Sequence, residues 1–516
     1  MRRFGTIAAL VVVTAGLAMG CGRSATPAAS GGSASPGVAL QWPTEDWDTA
    51  APETEGLDSR TLASGLEELL AHGSQIHSLL IARHGILVMD AYRYPYDGSI
   101  YHDLASVTKS VTTTLVGIAA DQGLIDLDAP MLSFFPDRDI ANRTPEKERI
   151  TVRQLLSNTS GLDCRVTTQE VTLERMMASD DFVQFALDLD IAAEPGTTFA
   201  YCSPGMHLLS AILTQATGLS ALEYARANLF APLGITEVYW AADSDGHSHG
   251  WGGLALHPRD AAKIGLLFLR QGRWEDVQLV SADWVEAATA RQADTHGFKA
   301  EDYGYGWWVS RPESQDIEFF RADGNGGQRI VVVPELDLVV VTTGGGFSLE
   351  EATPFILAAA TDDWRPLPSD PDAAMALDAA IGALGAGPPG EPVADLPPAA
   401  ASISGRTIRF EDDLVRSLAI HFTPHAPQAT WTLDLATEAG VREMVIGLDG
   451  RWRASTGGRP ILARGSWTDA TTFEAQIDEG PGIASYTLRL VVDERAVRLE
   501  VIGVADEVIS TTGRLD

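Results

Sequence analysis

Asp103-Leu-Ala-Ser-Val-Thr-Lys-Ser-Val-Thr-Thr-Thr-Leu-Val-Gly117 places a serine and a lysine three residues apart at the head of a long apolar run. After Ser106 nearly every position is apolar or β-branched, and neither Pro nor Gly intervenes before Gly117, which predicts a helix buried inside a domain. Residues three apart on a helix are neighbours, so Lys109 comes beside the Ser106 hydroxyl one turn on. A lysine in apolar surroundings has a lowered pKa and can take the proton of a serine that is otherwise a poor nucleophile. The helix N-terminus adds positive potential where an oxyanion would form. An isolated S-x-x-K is nevertheless a weak signal, because a serine at a helix mouth also serves as a plain cap. It needs partners elsewhere in the chain.

Working outward, Ser78-Leu-Leu-Ile-Ala-Arg-His-Gly-Ile-Leu-Val-Met-Asp-Ala-Tyr92 reads as two strands around a tight turn at His84-Gly85. Beyond the Ser106 helix, Ile150 to Leu162 has a helical period stopped by Gly161, and further helical patterns occupy about 170–190, 205–217, 220–230 and 258–271. Alternating strands return at Tyr303 to Ser310, Ile317 to Arg321, Gln328 to Val333 and Leu338 to Thr343. Two early strands, a helical middle and late strands imply an α+β fold: one antiparallel sheet joining the two ends of the domain, with a large helical insertion. The catalytic domain is expected over 51–362. Residues 363–400, rich in Ala, Pro and Asp, read as a linker with one helix-prone piece at Asp372 to Leu384. Short alternating runs over 401–516 predict a small β-barrel or sandwich.

The chain has 516 residues and a net charge of −33, with no basic run. That excludes nucleic acid as a partner and direct electrostatic docking on anionic lipid. Met1-Arg-Arg followed by an apolar run to Ala18 reads as a signal peptide over 1–20. Leu17-Ala-Met-Gly-Cys21 resembles a bacterial lipobox, with Met19 where small residues are usual, so lipidation at Cys21 is expected, with plain secretion as the alternative. Residues 21–50 then form a flexible tether. The expected location is the cell envelope, with membrane attachment only through Cys21, or the exterior. Of the other two cysteines, Cys164 and Cys202, an oxidising compartment suggests a disulfide; two small buried hydrophobes is the alternative.

Three stretches line up in order: Ser106-x-x-Lys109; Tyr201-Cys-Ser203 after Glu194-Pro-Gly-Thr-Thr-Phe-Ala; and Gly324-Asn-Gly-Gly-Gln328 opening a strand. In this spacing the chain resembles the serine β-lactamase and penicillin-binding family, nearest its class C β-lactamase-like esterases and amidases, over about residues 50–362. Gly252-Gly-Leu-x-x-x-Pro-Arg-Asp260 and Tyr303-Gly-Tyr-Gly-Trp307 are similar to further stretches of that family. The resemblance implies acyl transfer through a covalent intermediate on Ser106, with Lys109 and Tyr201 moving protons and the backbone N–H groups of Ser106 and Gln328 as oxyanion hole. It implies substrate contacts at Ser203, Asn325, Gly326 and Gly327, and neither metal nor cofactor.

Two departures qualify what the resemblance implies. Ser203 stands where the family carries Asn, and Asn325 where it carries Lys or His, so no charge at that position meets a substrate carboxylate. Esters and uncharged or linear amides, as in the esterases and amino-hexanoate oligomer hydrolases of the group, become the expected substrates. Lactam or D-amino-acid peptide turnover is the first alternative and a catalytically weak binding protein of the same fold the second. Arg321 and Arg329 are the candidates to replace the missing cation. Gly246-His-Ser-His-Gly250 matches the G-x-S-x-G elbow of another hydrolase fold, but an acidic turn precedes it and Trp251-Gly-Gly253 follows, so a loop is expected. His247 and His249 lack a third metal ligand nearby.

Overall fold

The computed structural model describes residues 42–166, 170–299, 301–310, 317–361, 365–411, 415–435, 440–455, 458, 460–479, 484–493, 496–503 and 508–515. The expectations for residues 1–41 fall outside these. Helix α1 (Ser59–Ala71), capped by the Asp58 side chain, leads into strands β1 (Ile76–Arg83) and β2 (Ile86–Tyr92). The turn between them holds His84 and Gly85 at positive φ, as the His-Gly pair predicts. The late strands are β3 (Asp302–Tyr303), β4 (Trp308–Ser310), β5 (Phe319–Gly324), β6 (Gln328–Val333) and β7 (Leu338–Gly344). They join the early pair in an antiparallel sheet of order β2-β1-β7-β6-β5-β4-β3. The ends of the domain therefore meet at β1 and β7, with Ile81 opposite Val340.

Burial on both faces explains the unbroken apolar runs of β1 and β7, since side chains alternate between two cores. Leu80, Ala82, Val339 and Val341 face a front core shared with the inserted helices. Leu79, Ile81, Leu338 and Val340 face a back core under α1. Helix α2 (Val107–Asp121) is buried from Val107 through Ala119. It continues past Gly117, where a Cβ would lie 2.3 Å from the Trp284 ring, so this glycine serves close packing rather than termination. Helices α3 (Ser203–Thr217) and α4 (Pro258–Leu269) also bury residues in this front core.

The segment read as a linker is only partly one. Its helix α5 (Pro371–Gly385) buries Ala373, Leu377, Ala380 and Leu384, and the last three join the back core of the sheet. Between 150 and 162 only Val152–Leu156 is helical, although Gly161 has the left-handed φ expected of it. From Thr407 onward, among the described residues, ten strands form one sheet that closes where Gly447 meets Arg464, around a core including Trp431, Phe473 and Leu490. This is the barrel alternative of the sequence reading.

Candidate active site

The nucleophile turn is assembled by short-range hydrogen bonds. His102–Asp103 is a two-residue strand pairing with Leu254–Leu256, and Leu104 N–H donates to Leu254 O at 2.8 Å. Asp103 Oδ1 accepts from Ala105 N–H at 2.8 Å. That bond holds Ala105 at φ 46°, a left-handed conformation costing a non-glycine residue about 1–2 kcal/mol. Ser106 follows as the cap of α2 and makes no side-chain capping bond.

Lys109 Nζ lies 2.9 Å from Ser106 Oγ and 3.1 Å from the carbonyl oxygen of Trp251. Burial lowers its pKa to about 8, against an opposing pull from the Glu170 charge. Tyr201, just before α3, places its ring centre 4.6 Å from the same Nζ. The ring packs beside Phe298 and Trp308, each 5.9 Å away and themselves 6.2 Å apart. Burial pushes the Tyr201 phenol well above its usual range and the Glu170 charge pushes the same way, while a hydrogen bond with Ser106 opposes them. At neutral pH Tyr201 is a phenol.

Ser203 is fully buried at the start of α3 and its hydroxyl donates to Glu170 Oε2. The hydroxyl proton of Ser203, expected from the resemblance to contact substrate, points to Glu170. Glu170, the residue preceding the short helix Val171–Met177, is the member of the site that sequence reasoning missed. It stands in no motif and 33 residues from Ser203. Trp251 was also missed in its actual role, because a backbone carbonyl leaves no trace in residue type. Of the tryptophans near the motifs, Trp308 walls Tyr201, whereas Trp307 is fully buried against Phe268 and Phe320.

The third motif turns from β5 to β6, with Asn325 exposed and Gly326 and Gly327 at φ 82° and 104°. The turn abuts the nucleophile: a Cβ on Gly324 would lie 2.5 Å from Leu104 O and 3.2 Å from Ala105 Cβ. The Gln328 side chain is structural. Its Nε2 donates to Asn325 O and Gly344 O, and its Oε1 accepts from Gly344 N–H, all within 2.7–2.9 Å. The two candidate replacement cations are not free for substrate. Arg329 Nε lies 3.0 Å and Arg321 Nη2 3.5 Å from buried Asp323, and Arg321 also meets Glu301 at 2.6 Å.

Cys164 and Cys202 are joined in a disulfide with Cα atoms 5.3 Å apart, and Cys202 Sγ accepts from Gly205 N–H at the cap of α3. The 246–250 segment is a loop, as expected. Ser248 is buried and accepts from Leu222 N–H, His247 and His207 both meet Asp243 Oδ2, and His249 stacks on Trp251 at 4.2 Å. Among the described residues no group of three or more His, Cys, Asp or Glu is placed to hold a metal.

A half-buried serine and tyrosine around a buried lysine, at the junction of an antiparallel sheet and a helical insertion, define a serine hydrolase. The Beta-lactamase family model matches residues 66–361, and the chain belongs to that family. It is 26% identical over 287 residues to the 6-aminohexanoate-dimer hydrolase of Paenarthrobacter ureafaciens, covering 51% of this chain and 71% of that protein. It is 28% identical over 280 residues to penicillin-binding protein 4 of Amycolatopsis lactamdurans, covering 46% and 71%. A solved structure from Bacillus anthracis, assigned as a 6-aminohexanoate-dimer hydrolase, superposes with a TM-score of 0.53 at 19% identity. It covers 64% of this chain and 91% of the other, and it bears on the fold.

Proposed function

We propose that the protein is an exported hydrolase of esters or linear amides that works through an acyl-enzyme on Ser106. The observation carrying this reading is the 2.9 Å contact of Ser106 Oγ with a desolvated Lys109. Neutral Lys109 takes the Ser106 proton as Oγ bonds to the substrate carbonyl carbon. The oxyanion is held by the N–H groups of Ser106 and Gln328. As the carbonyl–leaving-group bond breaks, Tyr201 gives its phenolic proton to the departing oxygen or nitrogen and regains one from Lys109. Water then attacks the acyl-enzyme, yielding the acid and returning a proton to Ser106. Exposed Asn325 and the pairing of Arg321 and Arg329 with Asp323 favour substrates without an essential carboxylate over penicillins and D-amino-acid peptides. The name of the aminohexanoate-dimer relative supports a linear amide. In this reading Cys21 carries the lipid that keeps the enzyme at the cell envelope.

The test is hydrolysis of a short p-nitrophenyl ester by residues 22–516 beside Ser106→Ala. Turnover lost in the variant supports the reading; equal rates, or none in either protein, favour a binding protein of the same fold.

A further inference from the structure

The C-terminal barrel meets the catalytic domain at the loop 93–101. Residues 93–101, running from β2 to the nucleophile turn, carry three tyrosines, and all three reach the barrel. Trp452 N–H donates to Tyr94 Oη at 2.9 Å, Tyr96 Oη donates to Asp478 Oδ2 at 2.8 Å, and Tyr101 Oη donates to Gly458 O at 3.3 Å. Asp478 lies on the barrel strand Thr472–Glu479 and is only 9% exposed. Burying a carboxylate is costly without hydrogen-bond donors, and the catalytic domain supplies one.

From Tyr96 the contacts run inward to Ser106. The Tyr96 ring stacks on His77 with centroids 4.1 Å apart, and His77 Nδ1 lies 3.0 Å from His102 Nε2. The proton positions follow from the partners. His102 Nδ1 is 2.8 Å from Asp103 O, which only accepts, so Nδ1 carries the proton and Nε2 offers a lone pair to His77 Nδ1–H. Burial keeps both rings neutral, lowering His102 to about 4 and His77 further. Asp103 in turn holds Ala105 in its left-handed conformation, one residue before Ser106.

We propose that Asp478 of the barrel is a remote positioning residue for the nucleophile, acting through Tyr96, His77 and His102 on the 103–106 turn. This rests on the reading of Ser106 as the nucleophile. The barrel is then part of the catalytic unit rather than a module carried beside it. A displaced Tyr96 frees His77 to turn, His102 loses its donor, and the turn loses the support that keeps Ser106 Oγ on Lys109.

The test uses the full chain with Asp478→Ala and Asp478→Asn, whose amide oxygen still accepts from Tyr96. The expected result is a kcat on a p-nitrophenyl ester lower by about tenfold in Asp478→Ala with KM within about twofold, restored in Asp478→Asn. The imidazole ¹⁵N resonances of His77 and His102 move in the first variant and return in the second. Tyr96→Phe removes the same hydrogen bond without altering the barrel and lowers kcat alike, so the test stands even if Asp478→Ala fails to fold. An unchanged kcat in Tyr96→Phe, or an Asp478→Asn protein that folds yet turns over no faster than a folded Asp478→Ala, overturns the proposal. If the wild type has no Ser106-dependent turnover, the hydrolase reading fails by itself. Movement of the His102 signals then still supports the link from the barrel, and their constancy overturns it.

Discussion

Lys109 donates a hydrogen bond to the carbonyl oxygen of Trp251 at 3.1 Å, and that contact steadies the amine that reaches Ser106 Oγ at 2.9 Å. A neutral amine keeps an N–H for Trp251 and turns its lone pair to Ser106. Arginine has no such lone pair at any accessible pH. Lys109→Arg and Lys109→Met are therefore both expected to lower kcat for ester hydrolysis by about 10³-fold, checked by steady-state kinetics beside circular dichroism.

The pH dependence follows from the same amine. Burial lowers Lys109 to about 8, and in the proposed mechanism it acts in its neutral form, so kcat/KM is expected to rise with pH and to reach half its plateau near that value. Tyr201 stays protonated across the range, since its pKa is raised above 10. A profile flat from pH 6 to 10 would contradict Lys109 as the base.

Burial is the larger influence on that midpoint, and Glu170 opposes it. Its negative charge raises the Lys109 pKa against the effect of burial, so Glu170→Gln removes a stabiliser of the ammonium. The half-maximal pH of kcat/KM is expected to fall below that of the wild type. A midpoint that stays or rises counts against an electrostatic role for Glu170.

Asn325 is exposed at the turn abutting Ser106, without the cation that the family carries there. Asn325→Lys is expected to raise kcat/KM for an amide ending in a free carboxylate relative to its methyl ester, by about tenfold for one charge-assisted hydrogen bond. Comparing the two substrates on both proteins reads the ratio directly.

The disulfide closes a loop of 38 residues and sits beside Tyr201 at the cap of α3. Loop-closure entropy puts its contribution at about 4 kcal/mol. Cys164→Ser is expected to lower the unfolding temperature of the oxidised protein markedly, and adding reductant to the wild type should lower it in the same direction.

Much of the fold was legible because burial leaves local patterns. The β1–β2 hairpin, the buried helix after Ser106 and the strands β5 to β7 each show periodicity or a turn signal within a few residues. The pattern was less informative between 303 and 310, where two short strands replace one, and in the 363–400 segment, where an alanine-rich helix packs on the back core. Alanine-rich sequence is as compatible with a tether as with a close-packed helix, and only the neighbouring surface distinguishes them.

Ser106, Lys109, Tyr201 and the Gly324 turn were legible in the chain because each stands in a short local motif, and helix pitch alone brings Lys109 to Ser106. Tertiary structure alone decided what surrounds them. Glu170 meets Ser203 across 33 residues, Trp251 offers a backbone oxygen to Lys109 across 142, and Asp478 reaches Tyr96 across 382. These contacts join segments with no shared period, and one uses an atom that every residue type carries. They exist only once the sheet, the insertion and the barrel have packed together.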